Sequence, residues 1–153
     1  MERYPKSLWK LLESTNFELK KRLEIAIKLT KELKIVHDGA VVHRDLKPTN
    51  IMVDAKDELA LVDFGIGIIV LEILGSSGTP GFNAPEQFSG AVQRYSGDIF
   101  SLGKNLILIL FEWKIGWHLL CSSEEWFLSQ NLKKKLTHFG NLFELIRRMM
   151  QVL

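Results

Sequence analysis

The sequence predicts a mainly helical α+β domain with a small β-hairpin set between two long helices. Three observations predict it. Residues 16–37 carry apolar groups at helical spacing, and residues 99–113 are apolar on nearly every side. Between them lie two short β-rich runs, 51–53 and 59–62, separated by the polar turn Asp54-Ala55-Lys56-Asp57. The chain has 153 residues, enough for one domain with a substantial core. Hydrophobic residues at 46% and charged residues at 25% match a globular composition.

In chain order, a short helix is expected over 6–12 and a long one over 16–37, opened by a Thr15/Glu18 capping box. Leu19, Leu23, Ala26, Thr30 and Leu33 are spaced as one buried face. Glu24 and Lys28 suit an i,i+4 pair on the opposite side, and Gly39 a C-cap. Val41-Val42 reads as a short strand ahead of the hairpin. Residues 63–86, rich in Gly and Pro, read as a long loop, and such a loop inside a compact domain is usually functional. Its stretch 66–74 is unusually apolar, which suits an edge strand or a packed segment and is also an aggregation hazard. The helix over 99–113 is followed by two more, near 124–132 and 141–151. No linker or repeat divides 1–153, so the chain reads as one unit.

Several function classes are disfavoured. A net charge of +2 implies no nucleic-acid partner. The apolar stretch 66–74 is short and contains Glu72, and 99–113 is interrupted by Lys104, Asn105 and Glu112. A membrane helix needs about 20 apolar residues, so no membrane partner is expected. Residues 1–10 lack the apolar core of a signal peptide, and the single cysteine, Cys121, fits a reducing compartment; a cytoplasmic location is expected. No Cys/His cluster has zinc-site spacing. Trp9, Trp113, Trp117 and Trp126 read as packing residues, His37, His118 and His138 as structural or surface groups, and Lys133-Lys134-Lys135 as a solvated face.

Chemistry concentrates in three segments. The first is His43-Arg44-Asp45-Leu46-Lys47-Pro48-Thr49-Asn50, the second Asp63-Phe64-Gly65, the third Gly78-Thr79-Pro80-Gly81-Phe82-Asn83-Ala84-Pro85-Glu86. Each alone is a weak signal. In this order, with 18 positions from Asp45 to Asp63 and with Asp98 at the head of the apolar helix, they resemble the protein kinase family, serine/threonine type. The resemblance implies the C-terminal lobe of a kinase that transfers the γ-phosphate of ATP to protein Ser/Thr hydroxyls.

The family's roles follow residue by residue as implications of that resemblance. Asp45 accepts or orients the substrate hydroxyl proton, and Lys47 stands near the transferred phosphate. Asp63 and Asn50 bind magnesium, hard oxygen donors for a hard cation. Asp45, Lys47 and Asn50 form the catalytic set, and Lys47, Asn50 and Asp63 the ATP-facing set. Lys47 and Thr79 resemble serine/threonine rather than tyrosine kinases, and the run 78–86 marks a protein rather than a small-molecule substrate. Arg44 is implied to receive a phosphorylated side chain, with Ser76 and Ser77 nearby. His43 is implied to be packed scaffold.

Met1-Glu2-Arg3-Tyr4 resembles the hinge, with the backbone of Glu2 and Tyr4 facing adenine. The glycine-rich loop, the strand lysine and its glutamate partner do not occur in the sequence, so an N-lobe is expected from a longer product or another chain. The far end resembles the penultimate helix, and the arginine that pairs with Glu86 in the family has no counterpart; Glu86 is expected to be a partly buried carboxylate without that partner. The alternative is a non-catalytic, kinase-derived module that docks partners through the substrate-facing surface. A truncated product without settled function is a third reading.

Overall fold

A computed structural model describes residues 6–64, 68–69, 79–88 and 95–111. Strand β1 (Lys6–Ser7) runs directly into helix α1 (Leu8–Ser14), whose N-cap Ser7 accepts a hydrogen bond from the Lys10 amide. Helix α2 (Leu19–Asp38) starts three residues later than the sequence predicts. The Thr15/Glu18 capping box does not form: Thr15 is the extended C-cap of α1, and Glu18 is the N-cap of α2 without a side-chain bond. Buried Arg22 does that work instead. Its guanidinium donates to Phe17 O at 2.7 Å and Asn16 Oδ1 at 2.6 Å, tying down the connection between the helices.

The buried stripe of α2 is Arg22, Ile25, Ala26, Leu29, Thr30 and Leu33. Ala26, Thr30 and Leu33 were expected there; Leu19 is 57% exposed and Leu23 lies at the margin. The expected Glu24–Lys28 pair is also replaced. Lys28 Nζ reaches across to Glu58 Oε1 at 2.6 Å and to Asp57 O at 3.0 Å, and Lys21 pairs with Asp57. The β-turn facing α2 therefore outcompetes a neighbour on the same helix. Gly39 is the C-cap, with its amide bonded to Ile35 O, and Ala40, whose amide bonds His37 O, makes the left-handed turn at φ 56°.

Strand β2 (Val41–Val42) follows, then a 3-10 turn (Pro48–Asn50), β3 (Ile51–Val53) and β4 (Leu59–Leu61). The hairpin forms as expected, in the register Ile51↔Leu61, Met52↔Ala60 and Val53↔Leu59. Asp54 Oδ1 closes its turn by accepting from the amides of Lys56 and Glu58. The described residues hold more sheet than the sequence revealed, in two separate sheets. β1 adds a third strand beside β3, and β5 (Ile68–Ile69) pairs antiparallel with β2. Two-residue strands carry no alternation to read. The edge-strand expectation for 66–74 holds at Ile68-Ile69; the rest of that stretch lies outside the described residues.

A second 3-10 turn (Pro85–Phe88) precedes helix α3 (Tyr95–Leu110). Its buried residues include Asp98, Ser101, Leu102, Asn105, Leu106, Leu108 and Ile109, as expected of a central helix. Phe100 is its exposed side, under the Lys104 ammonium. Leu29 and Leu33 of α2, Leu102 and Leu106 of α3, Leu8 of α1 and Ile51 of β3 are fully buried in one core. No helix among the described residues is long and apolar enough to cross a membrane. The helices expected near 124–132 and 141–151 lie outside the described residues.

Core position sets the cost of truncation. Leu106→Ala should destabilise by about 2–5 kcal/mol, the range for buried leucines. Ile35→Ala, at a side chain 63% exposed, should stay within about 0.5 kcal/mol. Denaturant unfolding at neutral pH measures both; equal costs would contradict this core.

Candidate active site

The loop 43–47 is held from beneath by one carboxylate. Asp98, 1% exposed in the first turn of α3, accepts from the His43 amide at 2.7 Å and the Arg44 amide at 2.8 Å, while His37 Nε2 lies 2.9 Å away. Hydrogen bonds to a charged acceptor are stronger than neutral ones. This pair holds Arg44 at φ 72°, a left-handed backbone that a non-glycine residue adopts only when its surroundings impose it. His43 is fully buried, a scaffold residue as expected. Its Nε2 faces Val62 O at 3.1 Å, and its Nδ1 faces the Asp45 amide at 3.4 Å. Those partners require the proton on Nε2. The Phe64 ring lies 4.7 Å from the imidazole and is itself exposed.

Past this bend, Asp45 projects into a cluster of donors. Its carboxylate is 2.7 Å from Lys47 Nζ and accepts from the Thr79 hydroxyl at 2.7 Å. Lys47 Nζ also donates to Thr79 Oγ1 at 2.8 Å, so the three groups close a triangle across two loops. Asn50 Nδ2 donates to Asp45 O at 3.0 Å and to Asp45 Oδ2 at 3.2 Å. Burial pushes the Asp45 carboxyl up. The hydrogen bonds from Lys47 and Thr79, the Lys47 charge and the Asn50 amide outweigh that and hold it below its ordinary value of 3.8. Asp45 is therefore an ionised hydrogen-bond acceptor at neutral pH.

Asp63 sits just beyond β4, exposed, at φ 65°. The Val62 amide donates to Asn50 O at 3.0 Å, which brings Asn50 and the strand end before Asp63 together at one end of the hairpin. With Nδ2 of Asn50 committed to Asp45, its Oδ1 remains as an acceptor, touched by the Thr49 hydroxyl at 3.4 Å. No group of three metal-ligating His, Cys, Asp or Glu occurs among the described residues. One carboxylate and one amide oxygen fit magnesium nonetheless, because that ion keeps several waters and takes phosphate oxygens with few protein ligands.

The sequence-predicted residues Asp45, Lys47 and Asn50 are thus brought into hydrogen-bonding contact. Glu2 and Tyr4, expected at the nucleotide, lie outside the described residues, as do Ser76 and Ser77. Arg44 is 5% exposed and engaged. Glu86 is a correction: it was expected to be partly buried and lacking its partner, but it is exposed and engaged in an interaction. Its exposure removes the burial on which the expected desolvation cost rested.

Two positioning groups were not read from the sequence. Buried Asn105 donates to Leu46 O at 3.1 Å and Ser101 O at 2.7 Å, fixing the loop from α3. Gln87, 2% exposed, bridges the Ala84 amide and Arg44 O. A polar residue at an apolar helical position was the available signal for Asn105, and a glutamine at the third position of a helical turn for Gln87.

A family model described as the protein kinase domain matches residues 1–141. The MAP kinase kinase skh1/pek1 of Schizosaccharomyces pombe is 40% identical over 86 residues, 55% of this chain and 24% of that protein. Serine/threonine-protein kinase ppk34 of the same yeast is 35% identical over 89 residues, 54% of this chain and 25% of that protein. The dual specificity mitogen-activated protein kinase kinase mek-2 of Caenorhabditis elegans is 33% identical over 89 residues, 56% of this chain and 23% of that protein. The chain thus spans about a quarter of the length of these relatives.

The Asp45 cluster predicts acid lability. A carboxyl whose folded pKa lies below its unfolded value contributes stability above the unfolded value, and loses it as pH falls through the folded one. Asp45 is such a group. Stability should fall on acidification from neutral pH through the carboxylate range, and Asp45→Asn should flatten that slope. Denaturant unfolding of both proteins at neutral and acid pH measures it; identical slopes would contradict the cluster.

Proposed function

Because the chain belongs to the protein kinase family, we propose that it is the catalytic lobe of an ATP- and magnesium-dependent serine/threonine kinase. It transfers the γ-phosphate to protein Ser or Thr hydroxyls when an N-lobe completes it. The observation that carries this reading is the ionised Asp45 carboxylate, bracketed by Lys47, Thr79 and Asn50. An ammonium and a hydroxyl from a separate loop converging on one ionised carboxylate suit a phosphoryl-acceptor site.

The division of labour follows from chemistry. Phosphoryl transfer depends on positioning and charge stabilisation more than on covalent help. Asp45 accepts the hydrogen bond of the incoming hydroxyl and aligns its oxygen. Lys47, 25% exposed at its side chain, offers its ammonium to the transferring group while remaining anchored between Asp45 and Thr79. Thr79 ties the segment 79–88 to that centre, so a docked peptide is placed relative to Asp45. Asp63 and Asn50 Oδ1 are the residues that would hold magnesium. Bound magnesium and nucleotide supply a charge-neutralised phosphoryl group. Protein substrates and a partner N-lobe belong to the same proposal.

Radiolabelled ATP with a basic protein substrate tests it. The 153-residue chain alone should give no incorporation above background. Fused behind a kinase N-lobe, it should label serine and threonine. Asp45→Asn should lower that rate by about 10²–10⁴, the range for a general base. Labelling by the fusion that is unaffected by Asp45→Asn would overturn the reading.

A further inference from the structure

Gln87 lies outside the acceptor cluster, yet its side chain touches both of the segments that form it. Pro85–Phe88 is a 3-10 turn, so Ala84 stands at its N-cap and Gln87 at its third position. Gln87 Oε1 accepts the Ala84 amide at 2.8 Å, the return half of a capping box. Its Nε2 is aimed the other way and donates to Arg44 O at 3.1 Å. A Cβ built on Gly97 would stand 3.4 Å from both Cδ and Oε1 of Gln87, so α3 closes over the amide. The side chain is 2% exposed, and its bonds are shielded from water.

Arg44 is the left-handed residue immediately before Asp45. Its amide is held by Asp98 Oδ1 and its carbonyl by Gln87, so both ends of the residue are fixed, one by each partner. The segment from 79 to 87 is laced internally. The amides of Phe82 and Asn83 bond Thr79 O, the Gln87 amide bonds Ala84 O, and Phe82 O accepts from the Ser101 hydroxyl of α3. Its N-terminal end meets Asp45 through Thr79, and its C-terminal end meets Arg44 through Gln87. The hydrogen bonds at Thr79 and Gln87, together with the chain between those two residues, therefore close a ring that runs from Arg44 and Asp45 through Thr79 to Gln87 and back to Arg44.

We propose that Gln87 is a positioning residue that sets the substrate-docking segment against the loop of Asp45 and thereby seats the Thr79 hydroxyl on the Asp45 carboxylate. Its importance for phosphoryl transfer rests on the kinase reading of Asp45; its structural action does not. Gln87 touches no reacting atom. It acts through the two backbones that carry Asp45 and Thr79.

The test uses the full chain and needs no activity, so its outcome is independent of the labelling experiment. The Thr79 methyl resonance reports the Thr79–Asp45 contact, with Asp45→Ala marking its position when the contact is gone. Gln87→Met keeps length and removes both hydrogen bonds. It should move the Thr79 methyl toward the Asp45→Ala position. It should also speed amide exchange at Phe82, Asn83 and Ala84 by at least about tenfold more than at Leu29 and Leu33, since locally opened segments exchange independently of the core. Leu33→Ala is the control, lowering global stability without moving the Thr79 methyl. If Gln87→Met does not fold, Gln87→Glu, which keeps the acceptor for Ala84 and loses the donor to Arg44, is measured in the same way. An unmoved Thr79 methyl, or exchange that rises uniformly, overturns the proposal. So does failure of both variants to fold, which would make Gln87 a residue of global stability and not of position.

Discussion

The site depends on the burial of one carboxylate. Asp98 sits at the head of a helix whose buried face is mainly apolar, and it is almost wholly out of water. A buried charge is tolerated only where hydrogen bonds replace its hydration. Here the replacements are the His43 and Arg44 amides and the His37 ring. The helix that organises the core thereby also fixes the backbone that presents Asp45. The helix N-terminus adds to this, since its dipole favours a negative charge in the first turn.

The acceptor centre is built with opposite logic. Asp45 is less completely withdrawn from solvent, with a side chain 12% exposed, and its charge is kept by side-chain donors. Lys47 and Thr79 come from separate loops, and each bonds the other as well as Asp45. Such a triangle is stable while closed and can open at one corner without exposing a bare buried charge. The buried anchor beneath and the more exposed cluster above are thus stabilised in different ways, the first by backbone amides and the second by side-chain donors.

Much of this was legible in the sequence, and the losses have physical causes. The hairpin announced itself through Asp54 and the flanking β-branched residues, and α3 through apolar residues on nearly every side. The order of His43, Asp45, Asn50, Asp63 and Thr79 carried the family. What failed was local bonding. A capping box at Thr15 and an ion pair at Glu24–Lys28 are each favourable by small amounts, and tertiary partners displaced both: the Arg22 guanidinium in one case, Asp57 and Glu58 in the other. Glu86 was read through a partner borrowed from the family, whereas its exposure decides its energetics. Asn105 and Gln87 were missed because a buried amide has no periodicity; its meaning lies in the carbonyls it meets.

Asp98→Asn tests the anchoring role most directly, because the side chain keeps its shape and loses its charge. Its amide nitrogen would face a backbone donor that the carboxylate now satisfies. Hydrogen bonds to charged groups are worth about 1.5–3 kcal/mol each. Denaturant unfolding combined with amide exchange should show a loss of at least about 2 kcal/mol, and the His43 and Arg44 amides should exchange faster than those of α2. A loss under about 0.5 kcal/mol with both amides still protected would contradict the claim that Asp98 holds the loop of Asp45 in place.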